Sequence, residues 1–164
     1  MLPRRPHPIP NESLRGYIGR VALANGYSGP DWMMRHLSGK ALHQSTLATI
    51  SAGIGKSISQ LAGLEGIIPG DTDPRHHCVI EGNRLPSDFW RLSLRQICPR
   101  CLAKNGFADA SWEDVRRVTC AIHQTTLVDT CPSCSRPLSW TLGGLTRCQC
   151  GMELCSIEPE VASS

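Results

Sequence analysis

The chain has 164 residues, 40% of them hydrophobic and only 5% aromatic, with 15 Gly, 12 Pro and 9 Cys. That composition excludes one large apolar core and predicts small modules that need added fastening. The formal net charge of +3 is too small for strong sequence-independent nucleic-acid binding, and no apolar run approaches the roughly 18 residues of a membrane span.

Pro3, Pro6, Pro8 and Pro10 make residues 1–10 an extended arm that cannot be helical. Met1-Leu2-Pro3-Arg4-Arg5-Pro6 carries charge with no apolar stretch behind it, so no export signal is read and a cytoplasmic, thiol-reducing setting is expected. Asn11 reads as the N-cap of a first helix of about 14 residues, ended by Asn25-Gly26. Leu14, Tyr17, Ile18, Val21 and Ala22 form its apolar stripe, with Arg15, Gly19 and Arg20 off it. Pro30 opens a second helix around 31–37, burying Trp32, Met33 and Leu37 and stopping at Gly39.

A third helix is expected over 45–52, with Leu47, Ala48 and Ile50 inward and Gly53 and Gly55 ending it. Ser57 and Gln60 have capping-box spacing before Ile58, Leu61 and Ala62, giving a fourth helix that stops near Gly63. Residues 1–63 thus read as an arm and a helix-turn-helix-like module. Used as a DNA reader, this module would present Lys56, Ser57, Ser59 and Gln60 to a groove. Residues 64–95 read as a linker that packs on the modules, with a turn at Pro69-Gly70-Asp71. Within it, 73–85 is polar and irregular, and His76, His77 and Cys78 read as part of a solvated loop. Phe89, Trp90, Leu92 and Leu94 form its apolar group.

From Cys98 onward the spacing changes character: Cys98-x2-Cys101, Cys120-x2-His123, Cys131-x2-Cys134 and Cys148-x-Cys150. Two ligands on one tight turn can grip a tetrahedral ion, and zinc takes four such N or S donors in closed structural sites. Eight paired ligands imply two zinc ions. Sequential pairing places Cys98, Cys101, Cys120 and His123 in one site and Cys131, Cys134, Cys148 and Cys150 in the other. An interleaved cross-brace remains the alternative, as does Cys155 in place of Cys150. The 18-residue gap after Cys101 has room for a short helix or hairpin, and the 13-residue gap after Cys134 fits a hairpin carrying Leu138, Trp140, Leu142 and Leu145. The expected architecture is therefore small α plus zinc ribbon, with ribbons at 96–128 and 129–164. Disulfides are the less favoured reading without an export signal.

Residues 1–95 hold eleven Lys and Arg against seven Asp and Glu, whereas 96–164 hold six against seven. Zinc thiolates add negative charge to the second half, so any nucleic-acid contact is expected to be local or through a partner. Catalysis finds no support. The carboxylates are scattered rather than clustered for two-metal chemistry, and Gly53-Ile54-Gly55-Lys56-Ser57 lacks the spacing and preceding strand of a phosphate-binding loop. Arg4, Arg5 and His7 of the arm, Trp32 with Arg35, and Trp112 with Arg116 and Arg117 are candidate partner contacts, since Trp and Arg anchor interfaces.

Pro8-Ile9-Pro10-Asn11-Glu12-Ser13-Leu14, followed by Tyr17, Arg20 and Ala22, resembles the opening of TniQ proteins. Ile97-Cys98-Pro99-Arg100-Cys101, Cys120-x2-His123-x3-Leu127, Cys131-Pro132-Ser133-Cys134 and Cys148-Gln149-Cys150-Gly151 follow that family's order. The resemblance implies a non-catalytic transposition adaptor, related to TnsD target selectors, with a helix-turn-helix module followed by tandem zinc ribbons. It further implies docking on an AAA+ ATPase regulator of the TnsC or TniB kind, capping or nucleating its DNA-bound oligomer. On the other side would stand a CRISPR effector or another target selector. The chain resembles the short form found in CRISPR-associated transposons. The alternative is a sequence-specific DNA-binding regulator acting through the helix-turn-helix module.

Overall fold

The computed structural model describes residues 2–42, 45, 47–57, 61, 66–67, 78–80, 83–85 and 94–162. The first helix, α1, spans Leu14–Ala24. Its N-cap is Ser13, whose hydroxyl accepts from the Gly16 amide at 2.9 Å, and not the expected Asn11. The backbone of Asn11 is committed elsewhere: it sits at φ 63° and its carbonyl accepts from the Ala110 amide at 2.9 Å. Ser13 in turn donates its amide to the Ala108 carbonyl at 3.0 Å. The entry to α1 is therefore strung onto a segment nearly a hundred residues away in sequence.

The arm runs back along α1. The Arg4 amide donates to Asn25 Oδ1 at 3.0 Å, the Asn25 side chain donates to the Arg4 carbonyl at 2.7 Å, and the Tyr17 hydroxyl donates to the Pro6 carbonyl at 3.1 Å. Arg20 donates from Nε and Nη2 to the Glu12 carboxylate at 2.7 and 2.8 Å, and Glu12 also accepts from the Ile9 amide at 3.1 Å.

Helix α2 spans Pro30–Ser38, with Pro30 in its first turn and Gly39 at φ 71° closing it, a backbone region that favours glycine. Its buried face is Met33 and Met34; Trp32, expected inside, is 66% exposed, and Leu37 is half-buried. Helix α3 spans Leu47–Ile54. Ile50 and Ile54 are buried, whereas Ala48 faces out, and Gly53 lies within the helix against Leu37 instead of ending it. The last two apolar positions are four apart, so they share a face that Ala48 does not. Of the expected fourth helix, Leu61 is helical and buried, its amide donating to the Ser57 carbonyl at 3.2 Å. Its other positions, Ser59 and Gln60 included, lie outside the described residues.

Within 64–95, β1 (Gly66–Ile67), β2 (Cys78–Ile80) and β3 (Asn83–Leu85) form an antiparallel sheet in the order β1-β2-β3, with Gly66 opposite Val79 and Val79 opposite Arg84. Part of the stretch expected to be irregular is therefore a hairpin. Val79 and Ile80 favour strand, and Gly82 sits at hairpin spacing after them. His76, His77, Phe89, Trp90 and Leu92 lie outside the described residues. Strand β1 runs beside α1.

The C-terminal half has one α-helix among the described residues, α4 (Pro99–Asn105). Its other regular pieces are 3₁₀ turns at Ala110–Glu113 and Leu154–Ser156 and isolated bridges. Leu94 pairs with Ser139 and Ile97 with Val128, so one short extended segment, 94–97, is laced to both cysteine regions. Gly16 and Gly19 give α1 a second buried face, although Gly19 is expected off the apolar stripe. A Cβ on Gly16 would stand 2.9 Å from the Ala108 Cβ, and one on Gly19 would stand 3.6 Å from the Leu145 Cβ. The helix thus rests directly on the cysteine half. Gly29 approaches it too, within 2.9 Å of the Gly143 carbonyl for an added Cβ.

Candidate metal centre

Cys98 precedes α4 as its N-cap and Cys101 lies in the first turn. A loop returns through Trp112 to a knuckle, Cys120 to His123, enclosed by a bridge between Thr119 and Thr126. The knuckle closes by the Gln124 amide donating to the Cys120 carbonyl at 2.8 Å, with Gln124 at φ 51°. These elements bring together the donor atoms of Cys98, Cys101, Cys120 and His123, all within 4.8 Å of one another. Cys101 Sγ and Cys120 Sγ are 3.6 Å apart, and His123 Nδ1 lies 3.4 Å from Cys98 Sγ and 3.2 Å from Cys101 Sγ.

The second group repeats the device. The Thr130–Pro137 bridge encloses Cys131 and Cys134, and the Arg147–Glu153 bridge encloses Cys148 and Cys150. Ser135 at φ 54° closes the first of these turns, its amide donating to the Cys131 carbonyl at 2.8 Å. Cys131, Cys134, Cys148 and Cys150 gather within 4.8 Å; Cys131 lies 3.7 Å from Cys150, and Cys134 lies 3.7 Å from Cys148. The grouping is sequential along the chain, and Cys150, not Cys155, completes it. The hairpin expected in the 13-residue gap is not what holds this segment: Ser139 pairs with Leu94, and Leu138, Trp140 and Leu145 are buried while Leu142 is exposed.

Separations of 3.6–3.7 Å are far from the about 2.05 Å of a disulfide. They fit the about 3.7 Å edge of a tetrahedron with zinc–sulfur bonds of about 2.3 Å. Thiol electrostatics agree. Burial, then the hydrogen bond and charge of neighbouring thiols, pushes Cys101 well above the ordinary thiol range. Burial opposes ionisation of Cys120, yet the His123 and Ile122 amides aimed at its sulfur hold it below its usual value. Burial pushes Cys148 up to about 12, whereas Cys150 is held down to about 7, first by the Met152 amide. A bound divalent cation would favour the thiolate form of every one of these cysteines. Both clusters could hold a metal ion, and their donors suit zinc in a closed, structural role.

Two residues ahead of the first knuckle matter although the spacing gave no sign of them. Gln96 is buried and donates its amide to the Asp114 and Arg117 carbonyls at 3.1 and 2.6 Å, fixing the loop between Cys101 and Cys120. Arg95 is buried beside the second cluster. It donates to the Leu145 and Gly144 carbonyls at 3.1 and 2.6 Å and lies 5.2 Å from the Trp140 ring centre. Burial brings its pKa down to about 10, against the opposing pull of Cys148.

The other candidate residues do not converge on one site. Arg4 and His7 are exposed and Arg5 is half-buried, donating to the Leu2 carbonyl at 3.2 Å. Trp32 and Arg35 are exposed on α2, with Arg35 paired to Asp31 at 3.1 Å. Trp112 is 5% exposed and belongs to the core around the first cluster, so it offers no docking surface. Arg116 pairs with Asp114 at 2.7 Å, and Arg117 is half-buried. Lys56 is half-buried and Ser57 exposed. Among the described residues no helix is long and apolar enough to cross a membrane.

A family model described as TniQ matches residues 3–133. The match takes in the arm from Pro3, the helices and the whole first cluster, and of the second cluster it reaches Cys131 alone. No curated protein matches the chain.

Proposed function

Because a match over residues 3–133 covers most of the 164-residue chain, it belongs to the TniQ family of transposition proteins, and on that premise we propose that it is a non-catalytic adaptor. In this reading it links target-site selection, by a CRISPR effector or another selector, to an AAA+ ATPase regulator on DNA. The family match carries the proposal. Each cysteine cluster holds one structural zinc ion, with Cys98, Cys101, Cys120 and His123 around the first and Cys131, Cys134, Cys148 and Cys150 around the second. Zinc so held supplies folding free energy and no open coordination position, which suits a scaffold more than an enzyme.

Docking is assigned to the side where α2 meets the second cluster. Trp32 and Leu142 are 66% and 64% exposed there, on a cleft of about 440 Å³ that Arg147 also lines. Large exposed apolar side chains flanked by arginine are the composition of interface anchors. The arm residues Arg4, Arg5 and His7 and the arginines Arg35, Arg116 and Arg117 are further candidate contacts that do not line this cleft. Lys56 and Ser57 are the described members of the set proposed to meet DNA within the assembly.

The test is to mix the protein with the transposon's AAA+ ATPase, ATP and duplex DNA and to image the assemblies by electron microscopy. Density capping or decorating the ATPase oligomer, lost in Trp32→Ala, is the expected result. If the ATPase forms its oligomer and the chain stays unbound even with the targeting effector present, the adaptor reading fails. A salt-resistant shift of naked duplex by the chain alone would then favour a direct DNA-binding regulator.

A further inference from the structure

Arg95 heads the fully buried side chains by volume, at 2% exposure. A guanidinium taken out of water needs a counter-charge or complete hydrogen bonding. Arg95 has neither in the usual form. No carboxylate pairs with it among the described residues, and its Nε has no hydrogen-bond partner there. What it has is the turn leading into the second cluster: Nη1 and Nη2 hold the Leu145 and Gly144 carbonyls. Its own amide is tied to the Leu138 carbonyl at 2.9 Å. Arg95 and Cys148 line one small crevice.

The two clusters differ in charge. Three thiolates and an imidazole around a divalent ion leave one net negative charge, and four thiolates leave two. The buried arginine stands beside the four-thiolate cluster. We propose that Arg95 is the positioning residue and counter-charge of that cluster: it fixes the Gly144–Leu145 turn that delivers Cys148, and its permanent positive charge offsets the excess thiolate charge. The proposal rests on the zinc reading of the clusters. Interactions one step out from the ligands commonly carry 10–100-fold of metal affinity.

The experiment uses full-length protein with cobalt(II) as the probe, since four-sulfur and three-sulfur-one-nitrogen sites give distinguishable absorption bands. Zinc displaces the cobalt to give site-resolved affinities. Arg95→Gln keeps an amide donor and removes the charge, whereas Arg95→Lys keeps the charge and loses the planar fork. The expected result is a loss of about 10–100-fold at the four-sulfur site in Arg95→Gln, with the other site unchanged. Arg95→Lys should recover most of that loss. Equal loss at both sites, no loss, or Arg95→Lys as weak as Arg95→Gln overturns the proposal. Where Arg95→Gln does not fold, Arg95→Lys decides alone: a retained four-sulfur site supports the charge role and a lost one refutes it. If wild-type protein takes up no cobalt at either site, the zinc reading itself falls, and the proposal falls with it.

Discussion

In the helical half, Leu14, Tyr17, Ile18, Val21, Met33, Met34, Ile50 and Ile54 bury against one another, carried by α1, α2 and α3. In the cysteine half, Ile97, Leu102, Trp112, Leu138, Trp140 and Leu154 are buried among the cysteines themselves. Among the described residues its backbone pairing beyond α4 is limited to 3₁₀ turns and isolated bridges. The first half has the makings of a small apolar core; the second has too little regular structure to stand on apolar burial alone. Its stability should therefore come from coordination, and the helical half, resting on it through Gly16 and Gly19, should feel the loss only at the contact.

Removing one ligand should break this comparison hardest. Cys98→Ser and Cys131→Ser are expected to cost the fold of the cysteine region concerned and one bound zinc, read by metal analysis and by chemical-shift dispersion of that region. Wild-type zinc content and dispersion would contradict the assignment. Next in size is Glu12→Gln. Glu12 is fully buried with Arg20 on it, and breaking a buried pair from one side costs about 3–5 kcal/mol, less here because Arg20 is partly exposed. Denaturant unfolding would measure it, and a neutral result would mean that the arm does not need this anchor.

The contact between the halves is sharpened by two substitutions on one helix. Helix propensity favours Ala over Gly by about 1 kcal/mol. Gly19→Ala, with its nearest neighbour at 3.6 Å, should gain part of that. Gly16→Ala meets the Ala108 Cβ at 2.9 Å and the Ala108 carbonyl at 3.1 Å, and should instead lose about 1–2 kcal/mol. Equal gains at both positions in thermal unfolding would show that the halves do not touch there. The smallest expected effect is a gain. Ser135 closes a knuckle at φ 54°, where glycine is less strained, so Ser135→Gly should stabilise by about 0.5–1 kcal/mol.

The cysteine clusters were legible because ligand spacing is a local code, and every spaced pair in it found its partner in chain order. Helices α1 and α2 were legible from apolar periodicity and from the Pro30 and Gly39 signals. What periodicity missed was set by distant segments. Asn11 lost its cap role to a backbone bond with Ala110, and Gly19 is buried because Leu145 lies over it. Trp32 reads both as part of the buried face of α2 and, with Arg35, as a candidate partner contact; it is exposed, and Met33 and Met34 take the face toward the core. Arg95 carried no signal, since a buried arginine next to a ligand pair reads in sequence as an ordinary surface charge. The hairpin of β2 and β3 hid behind polar neighbours, although Val79-Ile80 and Gly82 marked it.

The claim that coordination holds one half and apolar burial the other is tested most directly by native mass spectrometry joined to hydrogen exchange, before and after a strong zinc chelator. Two zinc ions per chain are expected, and on their removal amides of 94–162 should exchange freely while those of α1 to α3 keep much of their protection. A chain that carries no zinc, or one whose 94–162 amides stay protected after the metal is gone, would contradict it.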